Sequence, residues 1–147
     1  MSNITGKEDK FVSAVIVSAG NSTRMGGVNK QFLEIHGIPV LVHTLSVFNR
    51  NEFIDEIVVV TRESDINDVK TLINDYGIKK VTKVVKGGET RQISVLNGVV
   101  ATSQNTDIVA IHDGARPLVL PEDISRCAGD AFEYGGAVLA VPAVDTI

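Results

Sequence analysis

Val12-Ser-Ala-Val-Ile-Val-Ser-Ala19 is a short, β-branched apolar run that halts at Gly20. It does not alternate between apolar and polar residues, so it reads as a strand buried on both faces of a parallel sheet. Ile54 to Thr61, Val81 to Val85, Asp107 to His112 and Ala137 to Val141 repeat the theme along the chain. The segments between them carry helical spacing. Pro39 suits the first turn of a helix whose inner face holds Leu41, Leu45 and Phe48. Ser64 is positioned to cap a helix over Asp65 to Tyr76, with Ile66, Val69, Leu72 and Ile73 inward and Gly77 as its stop. Ile93, Leu96, Val99 and Val100 mark a third helix, and Pro121 to Glu133 a fourth, closed by Gly135-Gly136.

Strands alternating with helices require crossover connections, which are right-handed and place helices on the faces of the sheet. The expected fold is an α/β open sheet, mostly parallel, with helices on both faces. In such sheets ligands bind beyond the carboxyl ends of the strands, near a switch in strand order. The loops that follow each strand are therefore where function is expected.

Length and composition agree. The chain has 147 residues, 14 Lys plus Arg against 18 Asp plus Glu, and 44% hydrophobic residues. That fits one globular domain over 1–147, with no linker or repeat to divide it. A net charge of −4 argues against a basic face for nucleic acid, and no apolar run is long enough to cross a bilayer. The polar, partly acidic start, Met1 to Lys10, is unlike a secretory signal, so a cytoplasmic location is expected. Cys127 is the single cysteine and His36, His43 and His112 lack ligand spacing, so no protein-built metal centre is expected. The final residues, Ala137 to Ile147, run apolar with no cap, so the chain reads as interrupted.

The loop after the first strand, Ser18-Ala-Gly-Asn-Ser-Thr-Arg-Met-Gly-Gly-Val-Asn-Lys-Gln31, combines glycines, hydroxyls and two cations. Small residues let main-chain amides approach a polyanion. Arg24 can fork onto phosphate oxygens, and Lys30 adds a compact charge. The loop is neither GxxxxGK[ST] nor GxGxxG, so it is not one of the two commonest phosphate motifs. A solvated Gly/Ser loop with two ordinary cations is the competing reading. Two other strand ends add to the first. Lys86-Gly-Gly-Glu-Thr-Arg-Gln92 offers a backbone able to read the edge of a base, and His112-Asp-Gly-Ala-Arg-Pro117 sets Asp113 and Arg116 at the carboxyl edge.

In combination these motifs resemble the nucleotidyltransferases that activate sugars and polyols. With Gly87-Gly88-Glu89, Arg91, Ser94, the Asp113 motif and Asp145-Thr146, the chain is similar to the 2-C-methyl-D-erythritol 4-phosphate cytidylyltransferases of the non-mevalonate isoprenoid pathway. The resemblance implies a Rossmann-like fold of the nucleotide-diphospho-sugar transferase type. It implies transfer of CMP from CTP to the 4-phosphate of methylerythritol, with Mg²⁺ held mainly by the CTP phosphates and pyrophosphate released. By that likeness Arg24 and Lys30 are the catalytic cations. Ala19, Gly20, Gly88, Glu89, Ser94, Asp113 and Gly114 would hold the nucleotide, and Asp113, Arg116 and Thr146 the polyol phosphate. Full-length members pair as homodimers through an arm beyond Ile147, so the 147-residue chain is expected to bind CTP better than it turns over. Transfer to another polyol phosphate, such as ribitol 5-phosphate, and a non-catalytic CTP-binding fragment are the alternatives.

Overall fold

The structure is a computed structural model that describes residues 7, 9–21, 26 and 29–144. Four parallel strands, β1 (Val12–Ser18), β4 (Glu56–Thr61), β5 (Val81–Lys86) and β6 (Ile108–Asp113), form one sheet in the order β5-β4-β1-β6. The order runs outward from β1 to β5, then reverses to β6 on the other side of β1. β1 therefore sits beside the switch in strand order. Register puts Val15 between Val58 and Ile111.

Burial follows position in the sheet. Every residue of the central β4 is buried, as are Val12 to Ile16 of β1, which is what their unbroken apolar runs require. The edge strands β5 and β6 are only half covered. Lys83 and Lys86 stand on exposed positions of β5, charges of the kind that discourage pairing at an open edge.

Helices α1 (Val40–Arg50), α2 (Ile66–Asp75) and α4 (Pro121–Tyr134) share one core with alternate residues of β1 and β4: Leu41, Leu45, Phe48, Val69 and Ile124 meet Ala14, Ile16, Ile57 and Val59. Helix α3 (Arg91–Ala101) covers the opposite face, over Val15 and Val60. Gly77 and Gly135, with φ +63° and +84°, turn the chain after α2 and α4 in the left-handed conformation that glycine tolerates.

Several local expectations are corrected. Ser64 does not cap α2: a 3-10 turn over Glu63–Asp65 leads into the helix, and the Ser64 hydroxyl donates to the Asp65 carboxylate at 3.2 Å. Pro39 lies just before α1, ending β3 (Ile38–Pro39), which pairs with β2 (Glu34–Ile35) as a hairpin unforeseen in the sequence. His36 (φ 52°) and Gly37 (φ 74°) supply the two successive positive φ angles of its tight turn. Residues 137–141 form no strand, and Val138 and Val141 are exposed: among the described residues the segment pairs with no strand, so it lacks the ladder hydrogen bonds that define one.

The inner face of α3 is also different from the apolar pattern. Ile93, Leu96 and Val100 are exposed, whereas Ser94 and Gly98 face the sheet. The reason is distance. A Cβ on Gly98 would lie 2.3 Å from Val15 Cγ1 and 2.7 Å from Val60 Cγ2, so the helix rests too close for a larger residue. Gly98→Ala is expected to destabilise the protein despite its better helix propensity. The overpacking cost outweighs the gain of ~1 kcal/mol, leaving a net loss of up to about 2 kcal/mol. A lower urea midpoint with an unchanged m-value is the expected measurement.

Candidate functional site

A cleft of about 770 Å³ opens over the carboxyl ends of β1 and β6, against the loop after β5. That is the volume range of ordinary small-ligand sites, ~300–1,000 Å³. Its position at the switch in strand order is where an open parallel sheet leaves a crevice. Ala19 and Gly20 line it from β1, Gly88 and Glu89 from the β5 loop, and Asp113 and Arg116 from β6. Lys30 and Ser94 also line it. The strand ends thus bring together residues separated by up to nearly a hundred positions in sequence.

The β5 loop comes close to the β1 loop because it carries glycine. A Cβ on Gly87 would fall 2.3 Å from the Ala19 Cβ and 2.9 Å from the Ser94 hydroxyl. Behind it, Ser94 is buried, and its hydroxyl accepts from the Gly88 amide at 3.0 Å. Ser94 therefore shapes the glycine turn from beneath. Thr90 caps α3, its hydroxyl accepting from the Ile93 amide at 3.2 Å, so the helix starts at the cleft with its positive end towards any bound anion.

On the β6 side, Asp113 accepts from Arg91 at 2.9 Å and from Arg116 at 3.0 Å. Partial burial alone would raise its pKa, but the Arg91 guanidinium, followed by that of Arg116, holds it below the usual carboxylate range. The result is a fixed anion flanked by two exposed guanidiniums. Gly114 is buried behind this wall and does not line the cleft. Its amide donates to Val17 O at 2.8 Å, and its carbonyl accepts from the buried Thr44 hydroxyl at 2.7 Å. A Cβ there would meet the Ser18 hydroxyl at 1.9 Å, so glycine is what lets the β6 loop close against β1.

Lys30 opens a 3-10 turn over Lys30–Phe32, and it is exposed where it borders the cleft. The residues on either side of it are anchored. Asn29 Nδ2 donates to Asp65 Oδ2 at 2.8 Å, and buried Gln31 donates to the same oxygen and to Thr61 Oγ1, both at 3.3 Å. Sequence reading placed Asp65 merely at a helix start. No local signal reveals these long-range contacts. Arg24 and Thr146, the remaining expected site residues, lie outside the described residues, as does Asp145.

Among the described residues no three His, Cys, Asp or Glu side chains cluster as a metal would need. Burial raises the Cys127 thiol pKa, as expected for a packing residue of α4 and not for a nucleophile. No helix among the described residues is long and apolar enough to cross a membrane.

The sequence model of the 2-C-methyl-D-erythritol 4-phosphate cytidylyltransferases matches residues 12–147. The chain belongs to this family. Curated family members from Clostridium botulinum (strain Langeland) and Halalkalibacterium halodurans are each 46% identical over 136 residues, which cover 92% of this chain and 59% of theirs. The crystal structure of 4-diphosphocytidyl-2C-methyl-D-erythritol synthase from Anaerococcus prevotii superposes with a TM-score of 0.74 at 30% identity, over 86% of this chain and 53% of that one. A further crystal structure of a 4-diphosphocytidyl-2C-methyl-D-erythritol synthase gives 0.73 at 30% identity, over 94% of this chain and 62% of that one. The fold is thus the Rossmann-like one expected from the sequence. The chain spans about three-fifths of the length of the curated relatives it matches, 59% for both named above.

Proposed function

We propose that the cleft binds CTP with Mg²⁺ and that the chain carries residues that transfer CMP to 2-C-methyl-D-erythritol 4-phosphate. In that reaction the 4-phosphate of 2-C-methyl-D-erythritol attacks the α-phosphorus of CTP, forming a new P–O bond as the bond to pyrophosphate breaks. The observation that carries the reading is the convergence of Lys30, the Ala19–Gly20 turn, the Gly88–Glu89 turn and the Asp113–Arg116 pair on one cleft.

The chemistry asks little of a base. A phosphate monoester is already anionic at neutral pH, so catalysis reduces to alignment and charge neutralisation. Lys30, with Arg24, holds the triphosphate and stabilises the charge that builds on it. Ala19 and Gly20 underlie the nucleotide, and Gly88 and Glu89 read the cytosine on a turn that Ser94 fixes. Arg116 and Thr146 take the polyol phosphate, with Asp113 orienting Arg116 and Arg91. Mg²⁺ supplies further neutralisation of the triphosphate. Asp113 and Glu89 are the carboxylates that line the cleft, and the commitment of Asp113 to two guanidiniums fits an ion held chiefly by phosphates. We place the protein in the cytoplasm and treat residues 1–147 as one working domain.

Thermal unfolding with CTP, UTP, ATP and GTP, each with Mg²⁺, tests the reading. A ligand at 100 times its Kd stabilises the native state by about 2.7 kcal/mol, so CTP is expected to raise Tm well beyond the other nucleotides. Equal responses to all four, or none, would overturn it.

A further inference from the structure

We infer that Asp65 is a positioning residue for the Lys30 cation, an inference that rests on the cleft being the CTP site. Asp65 is buried, and a single carboxylate oxygen receives Arg62 Nε at 2.7 Å, Asn29 Nδ2 at 2.8 Å and Gln31 Nε2 at 3.3 Å. Asn29 and Gln31 are the immediate neighbours of Lys30. The carboxylate therefore clamps the chain on both sides of Lys30, a cation that must face the phosphates.

The arrangement has more precision than a loop needs for its own stability. Gln31 is buried although polar, and it spans from Asp65 to the hydroxyl of Thr61, the last residue of β4. The 3-10 turn itself is short, held by Phe32 N to Asn29 O at 3.1 Å and Leu33 N to Lys30 O at 3.2 Å. Such a turn fixes no direction alone. Anchoring to the end of a fully buried strand gives it one, and a charge placed in advance costs no reorganisation when phosphate arrives. Arg62 balances the buried carboxylate, so the clamp adds no net charge that would repel a nucleotide.

The test is a double-mutant cycle on the whole chain, with CTP–Mg²⁺ titrated by calorimetry. Asp65→Ala is expected to weaken CTP by about tenfold, the scale of coupling between neighbouring residues that act together. In a Lys30→Ala background the same change is expected to have almost no further effect, because the cation it positions is gone. Asn29→Ala breaks one arm at a half-buried site and is expected to show the same pattern in weaker form, which keeps the test available if Asp65→Ala fails to fold. Hydrogen exchange without nucleotide supplies a separate readout: the amides of Phe32 and Leu33 should exchange faster in Asp65→Ala and Asn29→Ala while those of β1 and β4 stay protected. Unchanged exchange, or an equal loss of CTP affinity with and without Lys30, would overturn the inference. If the unaltered chain fails to bind CTP, the functional reading falls, whereas the hold of Asp65 on the turn is still judged by exchange.

Discussion

Lys30→Ala is expected to lower any CMP transfer the chain supports by about 100-fold, the usual cost of removing one preorganised charge-stabilising group. The side chain is exposed beside the cleft and contributes nothing to the core, so stability should stay within about 0.5 kcal/mol. That combination separates a chemical role from a structural one. Lys30→Arg is a useful partner. It keeps the charge but spreads it over a planar fork, so it should recover nucleotide binding better than turnover. Pyrophosphate release at saturating CTP gives the turnover, and calorimetry gives the affinity. Full turnover in Lys30→Ala would remove this residue from the mechanism.

Glu56→Ala is expected to destabilise the protein by about 3 kcal/mol, since bonds to a charged acceptor contribute roughly 1.5–3 kcal/mol each and some of the freed donors can turn to water. Glu56 is buried at the start of β4. It accepts from Ser13 of β1 at 2.7 Å, from Thr82 of β5 at 2.6 Å and from the Ser103 amide before β6 at 2.9 Å. One side chain thus ties together β1, β4, β5 and the loop that leads into β6. Glu56→Gln should cost less. The Thr82 hydroxyl can reverse and accept from the new amide, while the remaining oxygen still receives the Ser103 N–H, which can only donate.

Glu56 also fixes a pH dependence. Burial pushes its pKa up, but the hydrogen bonds from Thr82, Ser13 and Ser103, with the nearby Lys83 charge, outweigh burial and leave it below the ordinary value of 4.5. The unfolded chain therefore takes up this proton first as pH falls. Its contribution to stability is complete at neutral pH and is lost on acidification, from about the ordinary carboxylate value down through the lower folded one. Denaturant unfolding between pH 7 and 3 should show a shallower acid decline in Glu56→Gln than in the unaltered chain. Parallel declines would place the acid sensitivity elsewhere.

The central architecture was legible because β1 and β4 are apolar without interruption, and only strands covered on both faces tolerate that. The loop after each such strand then had to carry whatever chemistry there is, which located Ala19, Gly88, Glu89, Asp113 and Arg116 at one cleft. Apolarity misled where small size was the operative property. Ser94 and Gly98, not Ile93 and Leu96, face the sheet, since α3 lies close enough to exclude larger side chains. The run at 137–141 has the composition of a strand, yet strands are made by partners and composition cannot supply one. The His36–Gly37 hairpin was too short for periodicity to register. The Asp65 clamp joins residues 34 and 36 positions apart, and nothing in a linear reading pairs them.

Because every strand of the sheet points the same way, the carboxylate knot of Glu56 and the cleft occupy opposite poles. Engineering for hardiness can work at the pole where strands begin, with no penalty at the pole where they finish. Drift in sequence has the same freedom, so tolerance of heat and choice of substrate are free to diverge independently in molecules built on this plan.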